Sequence, residues 1–132
     1  MCAVKDYKRW MPVKQKLNNV PKQIHFKERD IFWVSIGENV GCEEDGKGLL
    51  FNRPVLVVRK FNNYLFWGAA LSTTQKRGQY YHAFLVGNKI SVALLSQTHT
   101  YSASRISANK IGVISQEDFV SLKQKLALVL LG

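Results

Sequence analysis

Acidic side chains are scarce: nine Asp and Glu stand against 19 Lys and Arg, giving a formal net charge of +10 and an isoelectric point near 9.8. A field of that sign favours polyanions, nucleic acid first among them, although lysines on solvated faces also serve solubility alone. Cysteine is nearly absent. Cys2 and Cys42 stand far apart in sequence without the neighbours of a metal knuckle, so the expectation is no disulfide framework, no zinc site and a cytoplasmic location. No apolar run approaches the ~20 residues needed to span a bilayer, and the first residues lack a signal-peptide pattern, which predicts a soluble protein retained in the cell. Also missing are a Walker phosphate loop, a dinucleotide glycine fingerprint and a nucleophilic serine elbow, which disfavours those enzyme classes. The consecutive acids Glu43, Glu44 and Asp45 have no second convergent ligand set, so they read as a solvated acidic loop rather than a metal site.

What is present fits one globular domain with a modest core. Residues 1–27 form a basic helical extension in this reading, and residues 28–132 a barrel domain. In the extension, Trp10, Val13 and Leu17 make one apolar stripe at helical spacing, with Pro12 expected in the first turn, where its missing N–H costs nothing. Packing on the domain is favoured over an independent nucleic-acid arm. From Asp30 the pattern changes to short runs rich in β-branched and aromatic residues at 31–36, 54–59, 64–71, 79–86 and 90–95. Gly37, the loop Gly41 to Gly48, Asn62-Asn63, Gly78 and Gly87-Asn88 punctuate them, and short connections imply antiparallel neighbours. The fold class is mainly β with helices (α+β), a small closed antiparallel barrel rather than a doubly wound sheet. Ser115, with an acid three positions on, caps a C-terminal amphipathic helix whose Phe119, Leu122, Leu126 and Val129 face the barrel.

Three clusters carry candidate chemistry. Arg53 opens the apolar run Pro54 to Val58 directly after the glycine- and acid-marked loop. A permanent cation with a rigid fork of donors reads an anion there, or it merely caps a sheet edge. Ser72, Thr73, Thr74 and Gln75 end a strand and lead to Lys76 and Arg77, a mixture of hydroxyls and cations suited to a phosphodiester, or equally to an ordinary solvated turn. His99 follows the strand 90–95 within Ser96-Gln97-Thr98-His99-Thr100-Tyr101, where imidazole can move a proton near neutral pH. His25 and His82 lack such surroundings. Tyr80 and Tyr81 are able to stack on unpaired bases, though such strand pairs more often pack the sheet.

In order along the chain, Asp30-Ile31-Phe32-Trp33-Val34, Gly41-Cys42-Glu43, Arg53-Pro54-Val55-Leu56-Val57-Val58, Ser72-Thr73-Thr74-Gln75 and Leu95-Ser96-Gln97 resemble the MazF/PemK family of toxins from bacterial toxin-antitoxin pairs, over nearly all of Glu28 to Leu131. The resemblance implies an SH3-like barrel of the MazF/PemK/CcdB kind with added helices, usually a homodimer. It implies cleavage of single-stranded RNA without a metal or cofactor, and a cognate antitoxin that covers the RNA surface and meets operator DNA as part of the complex. Carried over, the family's catalytic Arg falls on Arg53, its catalytic Thr on Ser72 or Thr73, and an acidic loop position on Glu43; His99 is the acid-base candidate from its own surroundings, not from the family's pattern. The RNA-binding set is then Lys47, Gln75, Lys76, Arg77, Tyr81 and Gln97. Ser96, His99 and Ser102 depart from the family's usual Asp or Glu, Arg or Lys, and acidic residues. Those departures leave two alternatives: a degenerate barrel that binds nucleic acid or protein, and a barrel aimed at a topoisomerase.

Overall fold

The structure, a computed structural model, describes residues 4–19 and 24–132. Helix α1 (Tyr7–Asn19) is followed by strands β1 (Asp30–Ser35), β2 (Asn52–Lys60), β3 (Leu65–Ser72), β4 (Tyr81–Val86), β5 (Lys89–Ser102) and β6 (Ile106–Val113), and helix α2 (Gln116–Leu131) ends the chain. The strands form one sheet in the order β4-β5-β3-β2-β1-β6, with every neighbouring pair antiparallel. Its hydrogen-bonded ladder does not close. The sheet instead curls until β6 meets β4 through side chains: a Cβ added at Gly112 would lie 2.7 Å from Val86 Cγ1. Glycine at that seam lets the two edges approach, so the barrel expected from the strand spacing is a curled sheet with an unladdered seam.

Alternation along the strands gives the sheet two apolar faces. One face carries Ile31, Leu56, Ala69, Leu71, Phe84 and Leu95 and is covered by Phe119 and Leu122 of α2, with Leu126 and Val129 packed beside them. Ser115 caps α2 as the sequence indicates, its Oγ accepting the Asp118 N–H at 3.1 Å. The other face carries Phe32, Val34, Val55, Val57 and Phe66 and closes on Phe26, Tyr101 and Ile106.

Three expectations need correction. Pro12 lies inside α1 rather than in its first turn. Asp6 starts the helix earlier, its Oδ1 accepting the Arg9 N–H at 3.3 Å and its carbonyl the Trp10 N–H at 3.2 Å. An interior proline costs a helix ~3 kcal/mol, which full burial of Trp10 offsets. The strand expected to stop at Leu95 continues to Ser102, because a bulge between the Ala69 and Leu71 pairings restores the ladder and Thr98 to Tyr101 pair with Ala69 to Phe66. Strand β6 has no counterpart among the expected strands. Two register shifts against β1 break its alternation, so its period is not that of a regular strand.

Candidate functional site

Register brings the first two clusters together. Val55 of β2 pairs with Ala70 of β3, so two residues toward the same sheet end Arg53 and Ser72 sit on adjacent strands. Between β1 and β2 the chain makes a long loop whose base is tied by the Phe51 carbonyl, which accepts the Ile36 N–H at 3.0 Å and the Gly37 N–H at 3.2 Å. This loop folds over the sheet end and bounds a cavity of about 800 Å³ lined by Arg53, Ser72 and Thr73 together with Trp33, Glu44, Lys47, Thr74 and Lys76.

The Arg53 guanidinium is held on three sides. Nε donates to the Asp45 carbonyl at 2.9 Å, Nη1 donates to the Leu71 carbonyl at 3.2 Å, and Nη2 pairs with Glu44 Oε2 at 2.8 Å. Only 15% of the Arg53 side chain and 24% of Glu44 remain exposed. Glu44 and Asp45 are therefore not the solvated acids the sequence suggests, because the loop turns them inward onto a cation. Backbone carbonyls fix the orientation of the fork, and one carboxylate, that of Glu44, pairs with its remaining Nη2.

Ser72 is half-buried, its Oγ accepting the Thr74 N–H at 3.1 Å, which leaves its own proton to donate; Thr73 is exposed on the same rim. Gln75, Lys76 and Arg77 continue outward into solvent, with the Lys76 ammonium 5.7 Å from the Tyr81 ring centroid. Gln97 reaches the loop instead, accepting the Glu44 N–H at 3.3 Å through Oε1.

His99 does not line the Arg53 cavity. Its partner across β3 is Gly68, and it opens with Glu43, Glu44, Tyr101 and Arg105 into an adjoining hollow of about 160 Å³. Glu44 lines both spaces. Burial pushes the Tyr101 phenol up to about 12 and lowers the Arg105 guanidinium from its ordinary value. Glu43 is exposed and accepts the Val40 N–H at 3.0 Å. Among the described residues no three His, Cys, Asp or Glu side chains converge as metal ligands.

Sequence reasoning missed Trp33 and Glu44. Trp33 is the one outward residue of β1 and is 40% exposed on the cavity; set between Phe32 and Val34, it carries no mark in the sequence of which way it faces. Cys42 is in a disulfide, against the expectation that the cysteines form none; Cys2, the other cysteine, lies outside the described residues. Wide spacing in sequence gave no hint that the loop bearing Cys42 lies against the N-terminal segment at Lys5 and Asp45.

A curled antiparallel sheet thus sets an oriented guanidinium and two hydroxyls around one open cavity. Residues 27–130 match the family described as PemK-like, MazF-like toxin of type II toxin-antitoxin system, and the chain belongs to that family. Among solved structures, it is similar to MazF from Deinococcus radiodurans at 14% identity and a TM-score of 0.64, covering 81% of this chain and 97% of the other. It is also similar to an endoribonuclease in complex with its cognate antitoxin from Mycobacterial species at 13% identity and a TM-score of 0.63, with 80% and 95% covered. The Mycobacterium tuberculosis toxin MazF-mt6 matches at 16% identity and a TM-score of 0.57, with 76% and 94% covered. At these identities the structural likeness is one of fold. No curated protein matches the chain in sequence.

Proposed function

We propose that this chain is a toxin endoribonuclease that cuts single-stranded RNA, mRNA included, by attack of the RNA's own 2′-OH on the adjacent phosphate, leaving a cyclic phosphate and a 5′-OH. The observation that carries the reading is the fixed Arg53 fork in one cavity with Ser72 and Thr73. Arg53 meets the charge that builds on the phosphate, and Ser72 or Thr73 donates to a phosphate oxygen. The attacking hydroxyl must lose a proton and the leaving oxygen must gain one, which needs acid-base groups but no metal. His99 and Glu43 are proposed for those roles. Glu43 precedes Glu44 on the loop and His99 lines the second hollow with both, so exchange of Glu44 for substrate phosphate on Arg53 moves the wall between the two hollows.

Lys47, Lys76 and Arg77 neutralise neighbouring phosphates in this reading, Gln75 and Gln97 contribute amide contacts, and Tyr81 and the exposed Trp33 face stack on splayed bases. Residues 28–132 form the catalytic domain and residues 1–27 its extension. The protein works as a homodimer in the cytoplasm and is neutralised by a cognate antitoxin, through whose complex operator DNA is met. Relatives solved with antitoxin support that pairing. Among the described residues no helix is long and apolar enough to cross a membrane.

The test is incubation of the full chain with mixed-sequence single-stranded RNA in EDTA. The wild type is expected to release discrete fragments with cyclic-phosphate ends, and Arg53→Ala to be slower by about 10² to 10³, the usual cost of one preorganised donor. Near-normal turnover by Arg53→Ala would remove Arg53 from the mechanism. One observation favours a second reading, a barrel that binds nucleic acid or protein without cutting: among the described residues, the cavity that Arg53 shares with Ser72 and Thr73 is lined by no histidine and by one carboxylate, already engaged, while Glu43 meets Arg53 only in a separate hollow on the loop side. Intact RNA that still shifts on binding identifies that alternative.

A further inference from the structure

Lys5 and the first turn of the N-terminal helix lie outside the residues matched by the family, yet they touch the loop over Arg53 at Gly37, Asn39, Asp45 and Phe51. Trp10 is buried against Gly37 and Phe51, its ring 5.4 Å from the Phe51 ring in an edge-to-face arrangement. Gly37 has φ +84° and no room for a side chain, because an added Cβ would overlap the Trp10 ring. The Tyr7 hydroxyl donates to the Asn39 carbonyl at 3.0 Å. Lys5 Nζ donates to Asp45 Oδ2, and only 10% and 21% of those two side chains are exposed.

Asp45 joins the segment just before the helix to the guanidinium. Its carboxylate takes Lys5 on one oxygen and the Asn39 N–H on the other at 2.7 Å, while its carbonyl takes Arg53 Nε at 2.9 Å. A residue bonded on both sides in this way couples the place of its carbonyl to the N-terminal segment. The loop has no helix or strand of its own between Ile36 and Phe51; bonds within it, such as Gly46 N–H to the Gly37 carbonyl at 2.8 Å, pin its base, and the N-terminal contacts narrow the remaining freedom of Asp45, whose carbonyl with that of Leu71 sets the plane of Arg53.

We propose that the N-terminal segment is a positioning strap for Arg53, with Lys5, Tyr7 and Trp10 as positioning residues that act through the loop and never touch substrate. The kinetic half of this proposal rests on the endoribonuclease reading; the structural half does not. The Asp45 bond raises the Lys5 ammonium above its ordinary value, so this tie is intact throughout the neutral range. Loss of the strap lowers the fraction of molecules with an aligned fork, which reduces kcat more than it changes KM.

The experiment uses the full chain labelled with ¹⁵N and follows solvent exchange of the Arg53 Nε–H, assigned through Arg53→Lys. Cleavage kinetics and thermal unfolding accompany it. Lys5→Met is expected to speed that exchange by about tenfold and to lower kcat by about tenfold with KM within about twofold, while Lys5→Arg restores both. If Lys5→Met does not fold, Tyr7→Phe is put through the same measurements and decides instead. Wild-type exchange at Arg53 in a folded variant overturns the proposal, and so does faster exchange with unchanged kcat. A wild type that cuts no RNA defeats the endoribonuclease reading, whereas the exchange measurement still decides whether the strap holds Arg53.

Discussion

Glu44→Gln is expected to tighten single-strand binding, because Glu44 holds the position on Arg53 that a phosphate must take. The pair is 2.8 Å apart and mostly shielded, with 15% and 24% of the two side chains exposed. Opposite charges centred about 4 Å apart attract by about 4 kcal/mol at an effective dielectric of ~20 and by about 1 kcal/mol in water. Partial exposure and the hydrogen bond that Gln retains put the net near the lower bound, about 1.4 kcal/mol, which is a factor of ~10 in affinity. The assay is fluorescence anisotropy with a 2′-O-methylated strand, which binds but lacks the attacking hydroxyl. Glu117→Gln is the control: Glu117 is exposed in the first turn of α2 and reports what one lost negative charge does to a basic protein. Glu44→Gln should exceed that control by about tenfold at low salt, and the excess should shrink as salt screens the phosphate contact. Equal affinities for the two variants would show that Glu44 does not compete with the strand for Arg53, and the closed-loop account of the cavity would fall.

Gly37→Ala should cost about 3 kcal/mol from a positive φ and overlap with Trp10, and over 132 residues this lowers the thermal midpoint by roughly 10 °C. Gly41→Ala meets no atom within 4 Å and serves as the comparison; an equal drop in the two variants would contradict packing of Trp10 on the loop. His82 has a buried Nε2 without a hydrogen-bond partner, and burial followed by the Lys125 charge lowers its pKa against a smaller opposing effect of Asp118. The fold thus favours neutral imidazole: the stability it contributes is complete above the ordinary value of 6.5 and is lost as pH falls from there through the lowered pKa. Thermal melts from neutral to mildly acidic pH should show that loss in the wild type and a shallower one in His82→Phe, and parallel curves would exclude His82 as its source.

Much of this fold was legible because its signals are local. Ser115 before Phe119 and Leu122 marks a capped helix with one apolar face, and α2 follows. The runs Val55 to Val58 and Gly68 to Leu71 are continuous because the sheet is buried on both sides there, so they read as strands without alternation. Strand β6 and the far half of β5 were not legible, because bulges break their period and their pairing is set by partners distant in sequence. The site divides in the same way. Arg53 stands out as a charge at the mouth of an apolar run, and Ser72 and Thr73 as hydroxyls at a strand end. Their adjacency is a matter of register, as is the separation of His99 from them. Glu44 was hidden for another reason: nothing within an acidic stretch says which carboxylate turns inward until the loop has a shape.

The fit of the Trp10 indole into the bare backbone at Gly37 also bears on how such chains diverge. Asparagine or aspartate tolerates the backbone angle found there, so angle alone would permit them. The indole forbids them. Among family members, those without a helix in this place should accept Asn or Asp at the corresponding bend, whereas those with a tryptophan-bearing helix should keep glycine, so that the two positions are gained and lost as a pair.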